Sequence, residues 1–219
     1  PPDFMRNIGL MDDLEVAEIP DSLPVMILSG VTLFPHGYMP LFIFEERYRD
    51  MLRYALEHQR MFCVGHARPG IDHDEHPELV YPFTTAGLVR ACVTHDDGTS
   101  HLMLSGLQRV EITGWEQDGP FRIASVNPRS SLINNQDAVT ELAHAVVDLC
   151  SRLCDQNVLM TNQLREHLRG IRDPAALSDV VAQNFVNDPF DRQVLLETID
   201  VHERLKFLAH HLSCQAAKD

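Results

Sequence analysis

An α+β fold is predicted, with a strand-rich first half and a helical second half. Three observations predict it. Short apolar runs punctuated by Gly and Pro continue to about Pro128. After about Ser130 the apolar residues change to helical spacing. Two Asp-Pro pairs in the second half then have the form of helix starts, with Asp as cap and Pro at the first helical position.

In the first half, Pro24 to Leu28 and Leu41 to Phe44 are apolar runs that predict two strands. Tyr48, Met51, Leu52, Ala55 and Leu56 then recur on one helical face, so a single helix is embedded among the strands. Glu45 and Glu46 sit at its start, where they oppose the positive end of the helix dipole, and Glu45 is expected to act as a cap or as ionic partner of a nearby arginine. Met61 to His66 and Gly87 to Thr94 predict further strands. Asp97-Gly98, between Ala91-Cys92-Val93 and Leu102-Met103-Leu104, predicts a hairpin. Ser105-Gly106 reads as the end of a strand. Val110 and Ile112 alternate with Glu111 and Thr113, as a half-buried strand should, and Phe121 to Val126 closes the sheet. Many short strands of this kind suggest a small, strongly curved barrel.

In the second half, Val139, Leu142, Ala143, Val146, Cys150 and Leu153 form one helical stripe, and Leu164, Leu168 and Ile171 a shorter one. Asp173-Pro174 opens a helix with Leu177, Val180, Val181 and Phe185 on one face, and Asp188-Pro189 opens the next. Asp200-x-x-Glu203 has the form of a capping box before a last helix with Val201, Leu205, Leu208 and Leu212 inward. Asn127 to Gln136 is the joint, so two lobes are expected, residues 14–128 and 129–219.

The 219 residues are 44% hydrophobic, enough for a real core, and carry a formal net charge of -14. That charge excludes a nucleic-acid backbone as partner, because phosphate binding needs clustered Lys and Arg. It also disfavours anionic membranes. No apolar run approaches the length of a membrane span. The five cysteines, at 63, 92, 150, 154 and 214, show neither redox nor zinc spacing, so a reducing compartment, the cytoplasm, is expected.

Motifs for chemistry are absent. No phosphate-binding Gly-x4-Gly-Lys-Ser/Thr, no Gly-x-Gly-x-x-Gly and no Gly-x-Ser-x-Gly occurs. No catalytic residue, cofactor or metal is expected. Asp72-His73-Asp74-Glu75-His76 is the one metal candidate, and a metal-dependent or small-ligand enzyme using His73 and His76 is the alternative reading. More informative are Phe34, Tyr38, Met39 and Phe42, around a turn that Pro35, Gly37 and Pro40 hold. Most of these residues are expected in the core, including one of Phe42 and Phe44. Tyr38 and Met39 are expected at the turn tip, where apolar side chains offer a surface to a partner.

Several stretches resemble one family. They are Leu23-Pro24-Val25, Leu33-Phe34-Pro35, Pro40-Leu41-Phe42-Ile43-Phe44-Glu45 with Arg47-Tyr48, Gly87-Leu88-Val89, and Gly106-Leu107-Gln108-Arg109-Val110. Asp173-Pro174 with Leu177, and Gln193-Val194-Leu195-Leu196-Glu197 before Glu203-Arg204-Leu205, continue the match. Together they resemble the amino-terminal, substrate-binding domain of Lon proteases, from roughly Leu23 to Leu212. The resemblance implies a PUA-like β-barrel lobe followed by a helical lobe. It implies binding of unfolded or damaged polypeptides, or an adaptor role in protein quality control. The apolar residues around the proline-held turn make Phe34, Tyr38, Met39 and Phe42 the candidates for that binding. Motor and peptidase motifs do not accompany it, so a non-catalytic module is expected. A homodimer formed through the helical lobe is a further partner this reading allows.

Overall fold

The computed structural model describes residues 18–70, 80–156 and 162–217. Six strands and six helices follow one another as β1 (Ser22–Leu28), β2 (Tyr38–Ile43), α1 (Glu46–Glu57), β3 (Met61–His66), β4 (Phe83–Thr94), β5 (Ser100–Asp118) and β6 (Arg122–Pro128). The rest is helical: α2 (Gln136–Gln156), α3 (Asn162–Gly170), α4 (Pro174–Phe185), α5 (Pro189–Glu197) and α6 (Val201–Ala216). The α+β class and the order of elements are those the sequence predicts.

The strands form one mixed sheet in the order β2-β5-β4-β3-β1-β6, and β6 pairs again with β5. Among the described strands only β1 and β3 pair in parallel, with β2 and α1 between them in the chain. β5 is the organising strand. Its first part pairs with β2 on one side and β4 on the other, and its last part pairs with β6. Two separate strands around Leu102-Met103-Leu104 and Val110-Ile112 were the expectation; one 19-residue strand is found. Ser105-Gly106 is therefore mid-strand rather than a strand end, and the glycine has a steric reason. A Cβ on Gly106 would lie 2.0 Å from the Phe34 carbonyl oxygen. The hairpin at Asp97-Gly98 forms, with Gly98 at φ +80, a conformation that suits glycine.

Helix starts follow from side-chain capping. Asp173, Asp188 and Asp200 each accept two backbone N–H bonds from the first turn of α4, α5 and α6. At α1, Glu45 makes no such bond and instead holds Arg47 at 3.0 Å.

Three apolar clusters result. Two lie on the sheet. One joins Met26, Leu33, Ile43 and Leu104 to the inward face of α1, where Tyr48, Met51, Leu52 and Ala55 are buried. The other joins Leu23, Val25, Cys63, Val110 and Ala124. The third fills the helices, with Val146, Cys150, Val181, Leu205 and Leu208 at its centre. It contains one residue from the strand half, Phe34.

Buried polar contacts join the two halves. Arg109 on β5 forms a two-pronged ion pair with Asp179 on α4 (2.7 and 2.5 Å) and donates to the Leu196 carbonyl. Arg204 on α6 lies 3.8 Å from the same carboxylate and donates to Ser131 Oγ. Burial pushes its pKa down to about 10, with Asp179 opposing the shift and Arg109 adding to it.

Candidate functional site

The β1–β2 connection explains which apolar residues reach the surface. Pro35 and His36 make the turn, and His36, not Gly37, has the left-handed backbone (φ 62). Gly37 is needed for space instead. A Cβ there would lie 2.9 Å from Gln183 Oε1 and 3.0 Å from the Phe34 carbonyl oxygen. Gln183 Oε1 accepts the Phe34 N–H at 3.1 Å. The Arg192 guanidinium stacks over the Phe34 ring at 5.2 Å and donates to the carbonyls of Thr32, Ala182, Gln183 and Val186. Helices α4 and α5 therefore grip this connection and draw Phe34 into their own core.

Two of the four polypeptide-binding candidates are buried. Phe34 is 0% exposed and Met39 8%. Tyr38 and Met39 are not a turn tip; they begin β2. Strand alternation decides the rest. Met39 and Ile43 point inward, whereas Tyr38 (55% exposed), Pro40, Phe42 (49%) and Phe44 (59%) point out. Phe42 and Phe44 share a face as expected, but both are exposed and neither is core. Their rings stack at 5.8 Å. Phe42 also meets His101, its cross-strand neighbour on β5, at 4.6 Å, and His101 Nδ1 lies 2.9 Å from His95 Nε2. Phe44 is the residue the sequence reading missed; its odd-even relation to buried Ile43 was the available signal.

β2 is also an edge. Among the described residues it pairs only with β5. Gly106 N–H donates to the Gly37 carbonyl at 2.8 Å, which sets the phase of the antiparallel ladder. Met39 and Leu41 exchange hydrogen bonds with β5, while Tyr38, Pro40 and Phe42 turn their backbone groups to the open edge. Pro40 stands where its missing N–H breaks no ladder bond.

Two concave sites meet at Tyr48, whose hydroxyl donates to the Ile27 carbonyl at 2.8 Å, and one of them adjoins β2. One, of about 80 Å³, is apolar and lies between Met26 and Leu28 of β1 and Leu41 to Phe44, with Glu45 at its rim. The other, of about 200 Å³, lies on the opposite face of β1, against Val25, Ile27 and Phe121, and is lined by Arg47 and Arg122. Among the described residues, no group of three or more His, Cys, Asp or Glu is placed to hold a metal ion. His73 and His76 lie outside the described residues.

A family model described as the ATP-dependent protease La (LON) substrate-binding domain matches residues 22–213. The chain belongs to the LON substrate-binding domain family. Relatives of this LON chain include Lon protease of Dictyoglomus thermophilum, 23% identical over 199 residues, which takes in 91% of this chain and 25% of that protein. Lon protease of Escherichia coli K12 is 26% identical over 187 residues, 85% of this chain and 24% of that protein. The LON chain thus spans about a quarter of the length of these relatives. In fold it is similar to the N-terminal domain of Mycobacterium avium complex Lon protease (TM-score 0.72, 16% identity, 88% of this chain and 98% of that one). A Lon N-terminal domain protein from Xanthomonas campestris is also similar (TM-score 0.60, 21% identity, 86% and 97%). No described helix of the LON chain is long and apolar enough to cross a membrane.

Proposed function

We propose that this chain is a non-catalytic binding module of protein quality control in the cytoplasm, and that extended apolar segments of unfolded or damaged polypeptides bind along the outer face and open edge of β2. One observation carries this reading: Tyr38, Phe42 and Phe44 are exposed in a row on a strand with one unpaired edge. An extended segment laid beside β2 would gain main-chain hydrogen bonds from the edge and contacts from the aromatic rings. Apolar area removed from water is worth roughly 25 cal/mol per Å² before the cost of ordering the segment. The family supports substrate binding. Phe34 and Met39 have no place in this surface, since both are buried. The β4–β5–β6–β1–β3 pairings, which return to β4, support reading residues 14–128 as a PUA-like barrel lobe and 129–219 as a helical lobe. An adaptor role would use the same β2 surface.

The test is a fluorescence titration with a reduced, unfolded protein, comparing the unaltered chain with a Tyr38→Ser, Phe42→Ser, Phe44→Ser variant. Saturable binding that weakens at least tenfold, or about 1.4 kcal/mol, in the variant is expected. No binding by the unaltered chain, or equal binding by both, overturns the reading.

A further inference from the structure

The apolar cavity beside β2 opens where two strands of one sheet do not pair. β1 and β2 are not neighbours in the strand order, yet Met26 and Leu28 of β1 and Leu41 to Phe44 line one space of about 80 Å³. Met26 to Leu28 pair with β3 on one side, while β6 pairs only with Ser22 to Val25. Among the described residues, the second half of β1 thus has no strand on its other side, as β2 has none on its outer edge. Leu28 and Leu41 mark the opening. Strand alternation puts Leu41 on the inward face with buried Met39 and Ile43, yet it is only half-buried, and so is Leu28. Both pack part-buried against the core cluster that holds Met26, Ile43 and Tyr48. The polar groups at the cavity are already engaged, since Glu45 holds Arg47 and the Tyr48 hydroxyl donates to the Ile27 carbonyl.

A segment laid along the edge of β2 has side chains on alternate faces. The residue opposite Phe42 shares the Phe42 face and meets the aromatic row. Its chain neighbours, opposite Leu41 and Ile43, face the side where Met26 and Tyr48 bound the cavity. We propose that this cavity is a specificity pocket for one aliphatic side chain of the bound polypeptide, with the residues before and after it against the aromatic row. The pocket's occupant rests on the reading of the β2 surface; its size selectivity does not. The matching segment is apolar at successive positions, not at alternate ones. That is the pattern of a strand buried on both faces, which folding hides and unfolding exposes. A cavity of about 150 Å³ holds a benzene ring. The smaller space here suits Val, Leu or Ile and not an aromatic ring. The formal net charge of -14 further favours a segment flanked by Lys or Arg over one flanked by Asp or Glu.

The experiment is a fluorescence titration with short, labelled, Lys-flanked peptides containing Tyr-Xaa-Tyr, with Leu, Ser or Phe at the centre. Tyr is too large for the cavity and so fixes the register. The Leu peptide is expected to bind about tenfold more tightly than the Ser peptide. The Phe peptide is expected to bind no more tightly than the Ser peptide, although Phe is apolar. Leu28→Ala, which enlarges the cavity, is expected to raise the affinity of the Phe peptide about tenfold, a gain that poor folding cannot produce. Leu28→Phe, which fills the cavity, is expected to erase the preference for Leu. Phe binding at least as tightly as Leu in the unaltered chain, or an order unchanged in both Leu28 variants, overturns the proposal. Saturable binding that the Tyr38→Ser, Phe42→Ser, Phe44→Ser variant weakens, with no order among the three centres, sinks the pocket and keeps the β2 reading. A Leu preference retained at full affinity in that variant sinks the β2 reading and keeps the pocket. No saturable binding of any peptide overturns both.

Discussion

Arg109 and Asp179 meet as a bidentate ion pair whose side chains are 2% and 3% exposed, one on the longest strand and the other on α4. Arg204 approaches the same carboxylate, so one Asp offsets two buried guanidiniums. Removing the carboxylate is therefore worse than removing one cation. Asp179→Asn is expected to destabilise the fold by about 3–5 kcal/mol, because it leaves buried charge uncompensated. Replacing Arg109 and Asp179 together by Met and Leu should recover only part of that loss, because Arg204 stays buried without this carboxylate. Urea unfolding of the three proteins measures both effects.

Phe34 and Phe44 separate core from surface on either side of one strand. Phe34→Ala empties a site at the junction of loop and helices and is expected to cost about 3–5 kcal/mol. Phe44→Ala, at an exposed position, is expected to change stability by no more than about 0.5 kcal/mol. Equal effects in thermal unfolding would refute the burial of Phe34 among the helices and the exposure of Phe44.

Gly106 and Gly114 lie on the same strand and should respond oppositely. A methyl group on Gly106 collides with the Phe34 backbone oxygen, which cannot move as a flexible side chain could, so Gly106→Ala is expected to cost about 1–3 kcal/mol or more. At Gly114 the nearest atom to a new Cβ is Ser125 Oγ at 3.9 Å. Gly114→Ala should be neutral or stabilise by up to about 1 kcal/mol through lower chain entropy. Denaturation midpoints of the two variants decide it.

His66 is buried against α5, with Nδ1 3.3 Å from Gln193 Oε1 and its ring 5.1 Å from that of Tyr81. Burial holds its pKa below 6.5, although the Gln193 hydrogen bond and Glu197 pull the other way. The neutral form is thus the folded one. Its contribution is complete above the unfolded value of about 6.5 and is lost as pH falls toward the lower folded value. Unfolding at pH values near 7.5 and 5.5 should therefore show a larger loss for the unaltered chain than for His66→Gln. An equal loss would mean that His66 does not couple folding to protons.

Thiol accessibility offers a further contrast in position. Cys63 is fully buried, and burial pushes its pKa up to about 12, whereas Cys214 is exposed on α6. A thiol reagent at neutral pH is expected to label Cys214 within the folded protein and Cys63 only on unfolding.

Much of the fold was legible because its signals are local. The Asp-Pro starts at 173 and 188 and the cap at Asp200 depend on residues within one turn, and all three Asp caps form, although the Glu203 carboxylate lies against His202 and Lys206. The helical stripes were legible for the same reason, since spacing alone puts Val139, Val146 and Leu153 on one side. The continuity of β5 was not, because Ser105-Gly106 looks like an ending until the carbonyl of Phe34 is brought against it. The surface residues were half legible. Sequence identified the neighbourhood from Phe34 to Phe42, but the sides of β2 depend on its register with β5 and on helices more than a hundred residues away that claim Phe34. Nor could sequence show that Arg47 and Arg122, far apart in the chain, face one cavity.

The grip of α4 and α5 on the β1–β2 connection has a mechanical meaning. Phe34 is embedded among the helices four residues before β2 begins, and Gln183 and Arg192 fasten the backbone at its own N–H and at the Thr32 carbonyl. A pull along β2 toward its far end would therefore be resisted by the helices at one end of the strand and by the β2–β5 ladder along its length. Those ladder bonds would be loaded in shear, all together, rather than peeled open one at a time. The exposed aromatic row is thus mounted on a strand anchored by the helices at one end against tension along its axis.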